Sequence, residues 1–372
     1  MRTGADRDPR QTYHRVNRLG GPTGFDTASV PTDRRPVMHP ALSIWIQFSL
    51  CAAVIGVAGS RLSRYGDAIA SHTGLSRNWI GLVLVATVTS LPELVTGLSA
   101  VTVADAPDIA VGDALGSCVF NLAILALVDV FYRHGAIYAT ASATHAMSAG
   151  LGVILLSAVS LALVLSQQGS MPALGHFSLA SVLIVAIYLI GMRALYLTEQ
   201  RRGNSAPVET PTAMTLKTAL MGYGIASAVI VGMGIWLPLI GVELAHLMGW
   251  SNSFVGTLFV ALATSVPELA TTWGAVRIGA IDMAFGNLLG SNLFDVLILA
   301  VDDFAYLSGP LYQHLSPLHI VSALTACMMN GAVIVALVYR PVSRVWRSAS
   351  WASLVLLALY LFNAVVQYLH GR

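Results

Sequence analysis

Apolar residues in this chain run in blocks of about 20, separated by short polar stretches. Blocks of that length fit helices that cross a hydrocarbon core ~30 Å thick. Backbone in lipid has to satisfy its own donors and acceptors, which leaves helices or closed barrels. A barrel would show alternating strands of ~10 residues, and the sequence has none. The pattern therefore predicts an all-α integral membrane protein. Ten spans are expected, at 41–60, 79–103, 109–131, 143–166, 175–197, 218–240, 253–277, 281–304, 316–339 and 349–369. The longest polar connection, 198–217, leaves five spans on each side.

Composition agrees. Hydrophobic residues make up 56% of the chain and charged ones only 10%, against roughly 25% charged in soluble domains. The mean hydropathy is +0.72. A net charge of +2, with no basic cluster interleaved with aromatics, gives no reason to expect nucleic acid. Cys51, Cys118 and Cys327 lie in apolar segments at no ligand spacing and read as small packing residues.

Charge orients the spans. Loops after the odd-numbered spans hold twelve of the twenty Lys and Arg: Arg61, Arg64, Arg77, Arg133, Arg193, Arg201, Arg202, Lys217, Arg277, Arg340, Arg344 and Arg347. Loops after the even-numbered spans hold none. The positive-inside rule then puts the central loop in the cytoplasm and both termini outside. Residues 1–37 carry seven Arg and four Asp without an apolar run, so they read as a disordered tail. Translation from Met38 is the expectation there, which would change the net charge from +2 to −1.

Two spans are interrupted in the same way. "VATVTSLPELVTG" opens at Val85 and "VALATSVPELATT" at Val260. Aligning Gly81–Asp129 with Gly256–Asp303, with one deletion near position 104, gives 23 identities over 48 positions. The offset between copies is five spans, an odd number, so they are expected to face opposite ways. Inverted repeats of this kind build transporters whose sites lie near the midplane on broken helices. Pro92 removes the donor that the Val88 carbonyl would need, and neighbouring carbonyls at Ala86 and Thr89 are expected to loosen. Ser90 and Glu93 have the spacing of a capping box. Pro267, Ser265, Glu268, Ala261 and Thr264 repeat the arrangement. A carboxylate in the middle of a span costs at least ~2.5 kcal/mol on insertion scales and points to function.

The following spans supply a second wall. Asp113, Ser117 and Asn121 are four apart and share a helix face, as do Asn287, Ser291 and Asp295. Gly112, Gly116, Gly286 and Gly290 suit close helix approach. Carboxylates, an amide, hydroxyls and freed carbonyls are hard oxygen ligands, with no His or Cys among them, which disfavours zinc and copper. Ca²⁺ takes 6–8 such oxygens, and Na⁺ uses the same groups with less negative charge. Asp105, Asp108, Asp129, Asp302 and Asp303 are expected near span ends, where such charges mark exits from lipid; the last three could also draw cations to an entrance. His134, His145, His176, His246, His314 and His319 are expected mostly at solvated or interfacial span ends.

With "TSLPEL…GSCVFN" and "TSVPEL…GSNLFD", the sequence resembles the sodium/calcium exchanger family of the cation/calcium exchanger superfamily, of prokaryotic type, from the first span to the tenth. The resemblance implies ten helices in two inverted five-helix halves, 41–197 and 218–372, joined by a cytoplasmic linker at 198–217. Helices two and seven would be broken at the ion site. It implies that Glu93 and Glu268 hold Ca²⁺ with the Thr89 and Thr264 carbonyls, and that Asn121 and Asp295 complete the ring. Na⁺ would flank them at Ala86, Ser90 and Ser117 and at Ala261, Ser265 and Ser291. In the family the first and sixth helices slide over the core, here 41–60 and 218–240. Asp113 departs from the family's usual Asn and is a candidate for proton coupling. Val88 and Ala263 replace a common glycine. The expected function is Ca²⁺/Na⁺ antiport across the cell (plasma or inner) membrane, with Ca²⁺/H⁺ antiport as the alternative and a channel ranked lower. No cofactor and no enzyme chemistry are expected: neither His-Glu-x-x-His nor paired intramembrane aspartyl-protease motifs occur. The expected partners are Ca²⁺, Na⁺ or H⁺ and the lipid bilayer, with a monomer as the expected unit.

Overall fold

Long apolar runs free of interior breakers become long helices. A computed structural model describes residues 40–73, 86–132, 135–201, 214–341 and 349–371. The expectations for residues 1–37 and Met38, for residues 79–85, for His134, and for Arg77, Arg133, Arg202, Arg344 and Arg347 lie outside the described residues. The helices are α1 (Pro40–Thr73), α2 (Ala86–Thr89), α3 (Leu91–Thr102), α4 (Pro107–Phe131), α5 (Ile137–Thr140), α6 (His145–Gln167), α7 (Leu179–Arg201) and α8 (Leu216–Met248). They continue as α9 (Asn252–Val255), α10 (Ala261–Thr264), α11 (Val266–Arg277), α12 (Ile281–Ala305), α13 (Leu318–Tyr339) and α14 (Trp351–His370). A π-helical turn (Gly256–Val260) joins α9 to α10, and a 3₁₀ turn (Leu311–His314) follows α12.

Eight of these helices are long and apolar enough to cross a membrane. Asn252–Thr264 with Val266–Arg277, bent by 44°, makes a ninth when taken as one span. The segment expected at 79–103 is described only as α2 and α3. Two boundaries differ from expectation. Helix α1 runs on to Thr73 instead of ending near residue 60, with Arg61 and Arg64 on its exposed side and Leu62 and Ser63 buried between them. Its 34 residues span roughly 50 Å at 1.5 Å each, more than a bilayer core needs, so it tilts or projects. The fifth span does not start at 175. Ala173–Leu174 pairs antiparallel with Phe177–Ser178 around a two-residue turn, with Gly175 at φ +68°, and helix begins at Leu179.

Burial separates centre from periphery. The most apolar stretches of α4 and α12 are 78% and 83% buried, against 22% in α7 and 28% in α14. Helices α4 and α12 therefore form the middle of the bundle and pack on each other, while α7 and α14 turn apolar side chains outward, as lipid contact requires. Helix α1 lies along α8, and α3 also packs on α8.

The aspartates at the helix ends correct an expectation. Asp129 and Asp303 mark no exit to solvent; both are fully buried. Asp129 accepts from Ile137 N at 2.9 Å, Ser350 N at 2.8 Å and Ser353 Oγ at 2.7 Å. Asp303 accepts from Leu311 N at 2.7 Å, Ser178 N at 2.8 Å and Ser181 Oγ at 2.5 Å. Each acid thus satisfies donors at the starts of two other segments, in matching fashion in the two copies. A second matched pair lies at the opposite helix ends. Asp108 accepts from Ser316 N at 2.8 Å and meets His319 Nε2 at 2.9 Å. Asp282 accepts from Ser142 N at 2.6 Å and meets His145 Nε2 at 3.1 Å. His319 is therefore fully buried rather than solvated, and His145 stacks on Phe285.

Replacing Asp129 or Asp303 by Ala strands buried donors, each costing about 1–3 kcal/mol. D129A and D303A are expected to lower the thermal midpoint of the detergent-purified protein clearly, whereas Asp105→Asn, at an exposed position whose positive φ of 47° suits Asn, is expected to leave it almost unchanged. Midpoints measured side by side check this.

Candidate cation site

The two interrupted segments break at the expected serines. Helix α2 ends at Thr89, Ser90 takes φ −86° and ψ 14°, and α3 restarts with Pro92 in its first turn. Helix α10 ends at Thr264, Ser265 takes φ −83° and ψ 6°, and α11 restarts with Pro267. Proline suits the first turn, where its missing N–H is not needed, but it cannot continue the helix behind it.

The capping box does not form. Neither Ser90 nor Ser265 makes a side-chain cap bond. Each hydroxyl instead reaches the glutamate of the other copy. Ser90 Oγ donates to Glu268 Oε1 at 3.5 Å and Ser265 Oγ to Glu93 Oε1 at 3.4 Å, both long contacts. The glutamates are 1% and 0% exposed, so both face protein rather than lipid.

The second wall closes around them, again with partners exchanged. Asp113 Oδ1 accepts from Thr264 Oγ1 at 2.8 Å, and Ser117 Oγ accepts from Ser265 Oγ at 3.0 Å. On the other side, Thr89 Oγ1 donates to Asn287 Oδ1 at 3.4 Å and lies 3.3 Å from Ser291 Oγ. Asn287 Nδ2 also donates to Thr272 Oγ1 at 3.1 Å. Asn121 Nδ2 donates to Asn292 Oδ1 at 3.1 Å, and Asn292 Nδ2 to the Cys118 carbonyl at 3.1 Å. Asp295 is buried beside them with neither oxygen bonded. Ala261 is buried at the start of α10, and Ala86 opens α2. Gly116 sets the approach: a Cβ there would lie 2.2 Å from the Thr257 carbonyl oxygen, so only glycine lets α4 sit against the π-helical turn.

Glu93, Glu268, Asn121, Thr89, Thr264, Ser90, Ser265, Ser117, Ser291 and Asp113 are thus joined by direct contacts across the two copies. Asn292 was missed by sequence reasoning. It aligns with Cys118, and a second amide inside a buried run beside Ser291 was the available signal.

The chemistry of the site lies in what stays unpaired. Glu93 Oε2, Glu268 Oε2, Asp113 Oδ2, Asn121 Oδ1 and both Asp295 oxygens are buried without a hydrogen-bond partner. Buried acceptors normally find donors, and the cost of leaving a carboxylate bare is high. Among the described residues, no Lys, Arg or His pairs with any of these four acids. Nor do three His, Cys, Asp or Glu side chains gather into a chelating cluster among those residues. Hydroxyls and amides stand between the acids. Such a set suits a hard cation held by mixed oxygens better than a soft metal. A cleft of about 400 Å³ between α1 and α8, lined by Val54, Arg61, Tyr65 and Gly222 among others, shares no residue with this space.

Comparison with known proteins fits this geometry. The sodium/calcium exchanger protein family matches residues 43–205 and 213–369. The inner membrane protein YrbG of Escherichia coli (strain K12) is 29% identical over 229 residues, covering 59% of this chain and 66% of YrbG. The solved sodium-calcium exchanger NCX_Mj is 22% identical, with a TM-score of 0.57 over 88% of this chain and 98% of its own. The solved H⁺/Ca²⁺ exchanger CAX is 16% identical, with a TM-score of 0.61 over 90% of this chain and 87% of its own. At these identities the two structures show a shared fold. The match to the family across both copies, together with that fold, makes this chain a member of the sodium/calcium exchanger protein family.

Proposed function

We propose that this protein is a secondary active antiporter that exchanges Ca²⁺ for Na⁺ at the space enclosed by Glu93 and Glu268. One observation carries the reading: buried carboxylate oxygens of Glu93, Asp113, Glu268 and Asp295, from both copies, have no hydrogen-bond partner, and the serine of each copy reaches the glutamate of the other. Two ionised glutamates match one Ca²⁺, with Asn121 Oδ1, Asp295 and the carbonyls at Thr89 and Thr264 completing its shell. Na⁺ takes overlapping positions at Ala86, Ser90 and Ser117 and at Ala261, Ser265 and Ser291. Overlap makes the occupants mutually exclusive, and that exclusion couples the fluxes.

The architecture we infer is ten spans in two inverted five-span repeats, 41–197 and 218–372, with a cytoplasmic linker at 198–217. The exchanged contacts support it: Ser90 with Glu268 and Ser265 with Glu93, Asp108 with His319 and Asp282 with His145. The cell or inner membrane is the proposed location, with the monomer as the transporting unit. Helices α1 and α8, packed on each other, are the proposed moving element that alternates access.

Proton coupling is the second reading, and Asp113 favours it. That acid adds a buried carboxyl where the second copy has Asn287, beyond the two glutamates that match one divalent ion. Opposed gradients in proteoliposomes separate the readings. Isotopic Ca²⁺ uptake is expected with an outward Na⁺ gradient and not with a pH gradient alone; the reverse result favours the proton.

E93Q and E268Q are expected to remain folded and to lose Ca²⁺ uptake by at least ~100-fold. Removing one partner of a buried charged set costs 3–5 kcal/mol, and each 1.4 kcal/mol is a factor of ten. Wild-type uptake by both variants would contradict the site. D113N keeps an oxygen for Thr264 and is expected to retain Na⁺-driven uptake within about threefold. A flattened pH dependence in that variant would instead give Asp113 the coupling role.

A further inference from the structure

Adjacent acids near the end of α12 sit in opposite surroundings. The carboxyl of Asp303 accepts from Leu311 N, Ser178 N and Ser181 Oγ. Asp302 is equally buried, yet neither of its oxygens has a hydrogen-bond partner. It is aimed at α3. A Cβ placed on Gly97 would lie 2.6 Å from Asp302 Oδ2 and 2.9 Å from Oδ1, so the missing side chain of Gly97 is what lets the carboxyl seat there. Gly97 lies one helical turn beyond Glu93, a rise of about 6 Å. The matching positions in the copies are Val128 for Asp302 and Thr272 for Gly97, so the acid and its seat belong to one copy only.

A bare ionised carboxylate in a low-dielectric interior is too costly to persist; such a group takes a proton or a counter-ion. The two oxygens of Asp302, with no hydrogen-bonded side chain beside them, fall far short of the 6–8 that Ca²⁺ takes. We propose that Asp302 is a proton-binding carboxyl of the transport path. It holds H⁺ while the seam between α3 and α12 is closed and releases it to water when the seam opens. The word "path" rests on the exchange reading above; the proton site does not. Titratable side chains on the elements packed against α12 are Glu93 on α3, Asp108, Asp113, Cys118 and Asp129 on α4, Glu268 and Arg277 on α11, His145 on α6 and, beyond its first two turns, Tyr188, Arg193, Tyr196, Glu199 and Arg201 on α7. Tyr312 and His314 on the 3₁₀ turn, and His176 bound to the Phe304 carbonyl, stand at the same end as Asp302. The first two turns of α7, which supply Ser181 to Asp303, carry none.

The test uses the full chain, purified and in proteoliposomes, as wild type, D302N and D302V. Infrared difference spectra between acid and alkaline pH are expected to contain the carbonyl stretch of a protonated carboxyl that both variants lack. Proton release on adding Ca²⁺, read with a pH dye, is expected to fall by up to about one H⁺ per chain in the variants. Identical spectra and identical proton release in the folded variants would overturn the proposal. Failure of both variants to fold would overturn it too, because a neutral Asp302 requires that neutral replacements be tolerated. Isotopic Ca²⁺ uptake by the wild type keeps the two claims apart. Uptake without the Asp302 band defeats only this proposal; the band without uptake defeats only the exchange reading.

Discussion

Four acids, Glu93, Asp113, Glu268 and Asp295, are buried in an apolar helix bundle without a paired base among the described residues. That is the constraint around which the rest of the structure is arranged. Charge removed from water at this density is unstable unless cations accompany it. A protein that satisfied the acids with Lys or Arg would be more stable and would have no need of an ion. Leaving the oxygens bare gives a transported cation what it loses on shedding its water.

The helix breaks serve this end. Each leading helix stops just ahead of a proline, and the serine that could have capped the next helix is turned toward the opposite glutamate. Local capping and cross-copy contact compete for the same hydroxyl, and the tertiary contact wins in both copies. Central placement of α4 and α12 completes the wall, since helices buried on nearly every side can carry Asp, Asn and Ser without meeting lipid.

Much of this was legible in the chain. Apolar runs marked the helices, the repeated "TS-x-PEL" marked the breaks, and four-residue spacing marked the facing polar side chains. Other features depend on partners far away in sequence, which a periodic pattern cannot reveal. Nothing in the run around Asp129 announces that Ser350 and Ser353 will bond it, so a buried anchor read as a lipid exit. His319 read as interfacial for the same reason; its partner, Asp108, lies 211 residues away. The length of α1 was hidden because Arg61 and Arg64 suggested a loop, although they lie on one exposed side of a continuing helix.

The most direct test of the central claim is to locate the ion. Anomalous X-ray scattering from crystals grown with Ca²⁺, repeated at rising Na⁺, reports the metal independently of the protein density. The account predicts one Ca²⁺ peak between Glu93 and Glu268, about 2.3–2.6 Å from carboxylate oxygens of both, that fades as Na⁺ replaces it. A peak elsewhere, or carboxylates that bind no metal at saturating Ca²⁺, would contradict it.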